Sequence, residues 1–490
     1  MIDFLERQIA VIQRENCFYP EKDDAFSPSQ MYPEYPFGEK TLAVHKNMVY
    51  EMVRNGFLML GLDEEKAGTP EWNPLGEFIK QGDYVLLKPN MVLDENRIKE
   101  NGTECLITHP SVIRAVLDFV VIALKGTGHI AVGDAPLQSC NFDRLVNKHG
   151  IKDIICFYKK QKIDIDLLDF RMVTSQIRDG FVEVIKTKEA SGCVEVNLGS
   201  ISEHQNNGSK KLRVTSYDPD EMEKHHNAAK HEYLIAKPVL WADVVINLPK
   251  PKTHRKAGMT GALKNLIGIN GNKDWLPHHK RGAKTEGGDE YLNRNLFKKA
   301  QADVQDMINR KIKEKHCPKQ LKTMSRILSL AGRVTSPDSY SEGSWYGNDT
   351  IWRTIADLNR ILLYCDKNGF LQKEVQRKVF VIGDMIIAGE GEGPLMPMPV
   401  KKGILVFGCN PAAFDTVAAE IMGFDYEKIP SIYKAYHKNA YPLIDFERTE
   451  IILKEDYEYK SKHAGSFLPS SGWKGHIEKN DEKNQMCRLP

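Results

Sequence analysis

Close-set cysteines are missing from this sequence. The nine present, Cys17, Cys105, Cys140, Cys156, Cys193, Cys317, Cys365, Cys409 and Cys487, are odd in number and never fall as Cys-x-x-Cys. Neither a zinc ribbon nor a local iron–sulfur ligand set can be written from them, so no iron–sulfur cluster is expected. Reduced thiols in a cytoplasmic compartment are the simplest expectation. Long apolar runs are missing too. The longest stretch, Ala115 to Leu124, is interrupted by Asp118 and too short to span a bilayer. The first residues, MIDFLERQIAVIQREN, carry acids where a secretory leader would be basic. An excess of one charge is absent as well. A net charge of +2 gives no electrostatic reason to expect bulk binding to nucleic acid or to an acidic membrane. No internal repeat of solenoid length is found.

What is present is the composition of a globular protein, 41% apolar and 27% charged over 490 residues. That length accommodates two or three domains, or one large domain with insertions. Residues 1–75 read as an N-terminal helical extension, with a helix over Ile2–Arg14, a Pro/Tyr-rich crossing and a second helix over Leu42–Leu60. Residues 76–280 carry an α/β rhythm. A short apolar run ends at Lys88–Pro89–Asn90, Thr108–His109–Pro110 opens a helix, and the next strand ends at Gly133–Asp134. Residues 160–235 alternate apolar and polar side chains between turns, which predicts antiparallel hairpins added to the main sheet. Residues 281–345 read as a polar helical insertion, 346–455 as the C-terminal part of the α/β core, and 456–490 as a mobile tail. The predicted fold is α/β, a mainly parallel sheet with helices on both faces, in two lobes with a site between them.

Four predicted strands end in residues capable of chemistry: Lys88 and Asn90; Asp134; Lys250, Lys252 and His254; and Asp384 with Glu390 and Glu392. Open parallel sheets bind ligands at that edge, so the four endings predict one composite site. The segment LPKPKTHRKAGMTGALKN, Leu248 to Asn265, is its centre. Lys250, Lys252 and His254 alternate by two and share one face of an extended chain. Gly258-Met-Thr-Gly261 then offers backbone N–H groups at a helix start, with Thr260, Lys264 and Asn265 beside them. This chemistry suits a carboxylate or phosphate, although a solvated basic loop would show the same residues. It is not a Walker A loop. DMIIAGEGEGP, Asp384 to Pro394, reads as a Gly-rich acidic loop able to wrap Mg2+ or Mn2+, with Asp134 and His279 as further ligands. Glu390 or Glu392 could instead serve as general acid or base. His225, His226 and His231 read as surface residues, since a spacing of five does not align ligands on a helix. Asp415 reads as a carboxylate in the first turn of a buried helix, stabilised by its dipole.

VLLKPNMV, THPSVIRAVLDFV, VGDAP, INLPKPKTHRKAGMTGALKNLIG, GDMIIAGEGEGP and NPAAFDTVAAEIMG occur in this order from about Gly76 to Phe424. Together they resemble the family called domain of unknown function 362, which has no generally assigned reaction. Many of its members carry an appended ferredoxin module, and this sequence lacks those cysteines. A more distant similarity links His254-x3-Gly258-x-Thr260-Gly261-x2-Lys264 to the His-x3-Gly-x-Ser-Gly-x2-Lys stretch of nickel-pincer lactate racemases. That similarity implies a catalytic His254, a cofactor-tethering Lys264 and a metal-ligating histidine near His278 or His279. Asp134 stands where those enzymes place a second catalytic histidine, and Lys88–Pro89–Asn90 replaces their Asp-x-x-Arg element. Shared architecture with different chemistry is therefore expected.

The expectation for function is metal-assisted acid–base chemistry on a small anionic metabolite, phosphorylated or carboxylated. His254, Lys264 and Glu390 would carry the chemistry. Lys88, Asn90, Lys250, Lys252, Thr260 and Asn265 would bind substrate, and Asp134, Asp384, Glu392 and His279 the divalent metal. A pincer-type racemase or epimerase, and a non-catalytic ligand-binding or scaffold protein, are the alternatives.

Overall fold

Ten strands form one sheet. In chain order they are β1 (Gln8–Gln13), β2 (Tyr84–Pro89), β3 (His129–Asp134), β4 (Asp166–Asp169), β5 (Val244–Leu248), β6 (Lys252–His254), β7 (Gly258–Thr260), β8 (Lys378–Glu392), β9 (Met396–Gly408) and β10 (Ile452–Tyr457). The computed structural model describes residues 5–178, 181–187, 191–208, 211–215, 217–313, 319–457 and 466–479. Across the sheet the order is β10-β1-β9-β8-β5-β2-β3-β4, with the β6–β7 hairpin joined to β8. Only β9 opposes the other seven strands of that path, because β1 and β8 are each antiparallel to it and every other neighbouring pair is parallel.

The sheet has two buried faces. Val85 and Leu87 of β2 enter one core and Leu86 the other; Ile246 and Val245 of β5 divide in the same way. Such strands read as continuous apolar runs because both faces are dry. One face is covered by α1 (Met48–Met59) and α2 (Pro110–Leu124), the other by α6 (Ile351–Tyr364) and α7 (Pro411–Ile421). Between these in sequence lie α3 (Ala262–Asn265), α4 (Leu296–Lys313) and α5 (Lys319–Thr335). The antiparallel structure predicted over residues 160–235 is present in part: Asp166–Asp169 is instead the parallel edge strand β4, and three short antiparallel pairs follow it. Val173–Arg178 pairs with Phe181–Lys186, Cys193–Asn197 with Glu232–Ala236, and Leu212–Arg213 with His279–Lys280. Val196, Tyr233, Ile235 and Ala236 of the second pair join one of the two sheet cores, whereas the third pair and α4 border the cleft as a second lobe.

Three expectations change. The helix predicted over Ile2–Arg14 is, from Gln8 to Gln13, strand β1, and the segment IAVI is fully buried inside the sheet between β9 and β10. A short apolar run fits a buried strand as well as a helix, and here the sheet decides. β1 and α1 are thus built into the core rather than forming an extension, since α1 lies on one face of the sheet. The acidic loop predicted from Asp384 to Pro394 is mostly the extended strand β8, paired with β9 as far as Glu392. Gly383 is there because a Cβ would stand 2.2 Å from the Phe414 ring. Finally, residues 466–479, expected within a mobile tail, are anchored by Phe467, Trp473 and Ile477, all buried.

Candidate functional site

The chain runs β2, β3, β4 to one side and then returns to β5 on the other side of β2. This switch between β2 and β5 is where an open parallel sheet leaves a crevice at its C-terminal edge. Two chambers occupy it. The outer has a volume of about 500 Å3, within the range of small-molecule sites. The inner is about 120 Å3 and lies against the strand ends Asn90 and Asp134. Leu137, Val214, Tyr217, Pro394 and Leu395, with His254 and His278, border both.

The inner chamber is lined by Thr260, Lys264, Asn265 and Lys273. Among the described residues no carboxylate or hydrogen-bond partner meets the Lys264 ammonium. Burial, helped by Lys256 and Lys88, lowers its pKa to about 7. Lys273 donates to the Ile267 carbonyl at 3.0 Å, and burial lowers it to about 7 as well. The Thr260 hydroxyl is buried with no hydrogen-bond partner. A buried polar group without a partner costs about 1–3 kcal/mol, so one in a cavity wall points to a ligand.

The two histidines at the neck are fixed in complementary tautomers. His254 Nδ1 accepts the backbone N–H of Lys256 and of Ala257, at 3.1 and 3.2 Å. Its proton therefore sits on Nε2, and burial together with Lys264 holds the ring neutral, well below the usual pKa. His278 Nδ1 donates to the Leu276 carbonyl at 2.6 Å, leaving Nε2 as an acceptor. Burial and the Lys256 ammonium lower it to about 3. One ring offers a donor and the other a lone pair.

The other predicted anion binders lie in closed networks. Lys88 pairs with Asp134 at 2.7 Å, and Asp134 also accepts the backbone N–H of Met91 and Ala135. Lys250 pairs with Asp384 at 2.9 Å and donates to Tyr19. Asp384 further accepts the Tyr19 hydroxyl and the His109 N–H. Lys252 donates to Asn90 Oδ1 at 2.7 Å and the Leu106 carbonyl at 2.6 Å. Asn90 donates to Asn265, which donates to Asn247, so the amides stitch the strand ends together while Asn90 and Asn265 also face the inner chamber. Lys250 and Lys252 border neither chamber.

The helix start expected to hold an anion is already occupied. Asp415 of α7 accepts the N–H of Ala262 and Leu263 at 2.5 and 3.1 Å. Burial raises its pKa to about 7. Asp415 thus sits on the dipole of α3 rather than serving its own helix. Gly261 makes the approach possible, since a Cβ would lie 2.0 Å from Asp415 Oδ1.

The candidate metal ligands are not brought together. Asp134 and Asp384 are bound to separate lysines. Glu392 pairs with Arg255 at 3.3 Å and accepts the Ser471 N–H at the outer rim. His279 lies on the strand pair, 3.4 Å from Lys256. Among the described residues no three His, Cys, Asp or Glu side chains are grouped to hold a metal. Glu390 is likewise outside the chambers, accepting the Leu468 N–H at 2.8 Å. Two histidines placed on the surface by their spacing are instead interior. His226 and His231 are buried, 3.3 Å apart through their Nδ1 atoms, with His204 beside them. Burial depresses all three.

Sequence reasoning missed Lys273 and Lys256, and preferred His279 to its neighbour His278. Lys256 donates to Thr215 and to the Glu342 carbonyl and is lowered to about 8 by burial. No periodicity marks it, although it stands inside the central motif. Trp473, from the tail, donates its indole N–H to the Arg255 carbonyl at 2.8 Å and packs against Gly258, bracing the hairpin that carries His254.

These features define an α/β protein with a basic, two-chambered cleft at the switch point of its sheet. The chain belongs to the family described as domain of unknown function (DUF362), whose pattern matches residues 85–196 and 201–420. A thylakoid-associated protein of Synechocystis sp. is 29% identical over 194 residues, which is 40% of this chain and 41% of that relative's length. A crystal structure of a Thermotoga maritima protein aligns with 76% of this chain and 57% of its own, at 10% identity and a TM-score of 0.30. Among the described residues no helix is long and apolar enough to cross a membrane.

Proposed function

We propose that the cleft binds a small anionic metabolite, carboxylated or phosphorylated, and transfers a proton to or from it. The observation that carries this reading is Lys264, which lines the inner chamber without a counter-ion beside the unpartnered Thr260 hydroxyl. Lys273 and the protonated form of Lys264 supply the charge an anion needs. A lysine poised near neutrality is also an effective acid–base group. His254 serves as a neutral donor through Nε2–H, because taking a proton on Nδ1 would expel two backbone N–H donors. His278 accepts a proton-bearing group of the substrate. The apolar neck and outer chamber hold the rest of the molecule. Scattered thiols fit a cytoplasmic protein. Mg2+ or Mn2+ enters this reading only as a partner of a phosphorylated substrate.

The test is a calorimetric and thermal-shift screen of carboxylates, phosphates and nucleotides on the wild type and on Lys264→Met. Binding by the wild type with a loss of about tenfold or more in the variant supports the proposal, the scale of one charged hydrogen bond. Equal binding by both proteins overturns it. Binding without turnover would favour the ligand-binding alternative. The racemase-like alternative draws on the free Lys264 amine and the His278 lone pair. Against it, Asp134, which stands where those enzymes place a second catalytic histidine, is paired with Lys88. An adduct on the peptide containing Lys264, seen by intact mass on protein from its native host, is the result it requires.

A further inference from the structure

Helices α4 and α5 form an antiparallel hairpin on the second lobe. Gly332 of α5 lies against Lys298 of α4, and Leu321 and Leu328 pack on Val304 and Ile308. The hairpin is fastened from the α4 side. Lys298 pairs with Asp338 at 2.6 Å, and Asp306 receives both Arg213 and Arg281. Gln305 and Asn309 of α4 look into the outer chamber, so α4 is the inner wall and α5 the outer layer.

The outward side of α5 is unusual. Met324, Ile327, Leu330 and Val334 are 40, 62, 65 and 78% exposed. At about 100° per residue they cover an arc of roughly 120°. Lys319, Lys322, Arg326 and Arg333 fall in the adjoining arc of roughly 60°. Lys319–Thr335 contains no aspartate or glutamate, and among the described residues no acid pairs with any of these four cations. At the same end as Val334, where Asn295 bonds Thr335, Leu296 and Phe297 are 70 and 43% exposed. On the neighbouring α4, by contrast, Lys298 pairs with Asp338 and Arg310 with Asp220. An apolar arc bordered by unpaired cations on a helix already held from behind is the pattern of an interfacial helix.

We propose that the outer face of α5 docks on an anionic lipid surface, the apolar arc entering the headgroup boundary while the four cations meet lipid phosphates. Charge complementarity selects this occupant, because an uncharged protein face would leave the basic arc without a partner. A chain with net charge +2 needs no global attraction for this, since the field is local to one helix.

The test is flotation of the full chain with vesicles of phosphatidylcholine alone or with phosphatidylglycerol. The expected result is binding only to the anionic vesicles, weakening with salt. Lys322→Gln with Arg326→Gln should reduce partitioning on the order of thirtyfold. Ile327→Glu with Leu330→Glu should reduce it at unchanged thermal stability. Absence of wild-type binding to anionic vesicles at low salt overturns the proposal. So does unchanged binding by both double variants. A concentration-dependent dimer abolished by Ile327→Glu, with no vesicle binding, would assign the face to a second copy instead.

Discussion

Lys250 and Lys264 leave the same stretch of sequence and reach opposite electrostatic states. Lys250 is buried against Asp384 and Tyr19, a closed arrangement in which its charge is met by a carboxylate that also accepts the Tyr19 hydroxyl. Lys264 is buried in the wall of a cavity, and among the described residues no counter-ion meets it. Both resemble anion-binding lysines when read as letters. The difference is the counter-ion: a paired lysine ties strand ends together, whereas an unpaired one is kept at a cost to stability that a ligand can offset. A milder form of the contrast separates Lys88, paired directly with Asp134, from Lys273, which bonds the Ile267 carbonyl and feels Asp134 only at longer range.

The largest effect should come from opening the closed side. Asp384→Ala leaves Lys250 buried and uncompensated, and should destabilise the fold by about 3–5 kcal/mol. Replacing both, Lys250→Met with Asp384→Leu, should recover much of that loss, because a buried pair is often no better than an apolar pair of similar volume. Urea unfolding monitored by tryptophan fluorescence measures both. A single variant as stable as wild type would remove the distinction between the two lysines.

Much of this contrast was hidden in the sequence. The parallel sheet, the strand ends before Asn90 and at Asp134, and the His254–Lys264 segment were legible, because buried strands and turn residues leave local patterns; the strand end predicted at Asp384 was not, since β8 runs on to Glu392. The pairing of Asp384 with Lys250, and of Asp134 with Lys88, was not, since each joins residues that only the sheet order makes neighbours. For the same reason the acids looked available for a metal. Asp415 shows the converse. Its helix was readable, but its target, the N–H groups of Ala262 and Leu263, lies on another element. The tail misled through composition. Three apolar anchors, Phe467, Trp473 and Ile477, suffice to fasten a charged segment.

On the open side, Lys264→Met should leave stability within about 1 kcal/mol of wild type, or raise it, because an isosteric apolar chain replaces a buried amine without a partner. Anion binding should fall about tenfold or more. Together these outcomes are the reverse of those at Asp384, and loss of stability comparable to Asp384→Ala would show that Lys264 is structural.

Acidity sharpens the comparison further. Lys264 and Lys273 are lowered from 10.5 to about 7 in the folded chain. Between these values the unfolded chain holds more protons than the folded one, so their contribution to stability rises with pH from about 7 to 10.5. As pH falls through about 7, both become charged and that contribution is lost. Anion affinity should run oppositely, falling as pH rises through about 7, since the bound anion needs the ammonium. Calorimetry in buffers of different ionisation enthalpy should detect proton uptake on binding near pH 8, and Lys264→Met should reduce it. A pH-independent affinity between 6 and 9 would contradict the assignment of these two lysines.

The smallest effect is expected at Glu390, and it discriminates because the sequence placed this residue among the catalytic group. Its carboxylate accepts the Leu468 N–H outside both chambers, in a half-exposed position. Glu390→Gln keeps an acceptor for that N–H. Stability should therefore change by no more than about 0.5 kcal/mol, and anion affinity with its pH profile should match wild type. Thermal unfolding and the same calorimetric titration check this. A shifted pH profile would mean that Glu390 reaches the cleft in the liganded protein, which would require β8 to release its hold on the tail, and the division between closed and open lysines would no longer locate the chemistry.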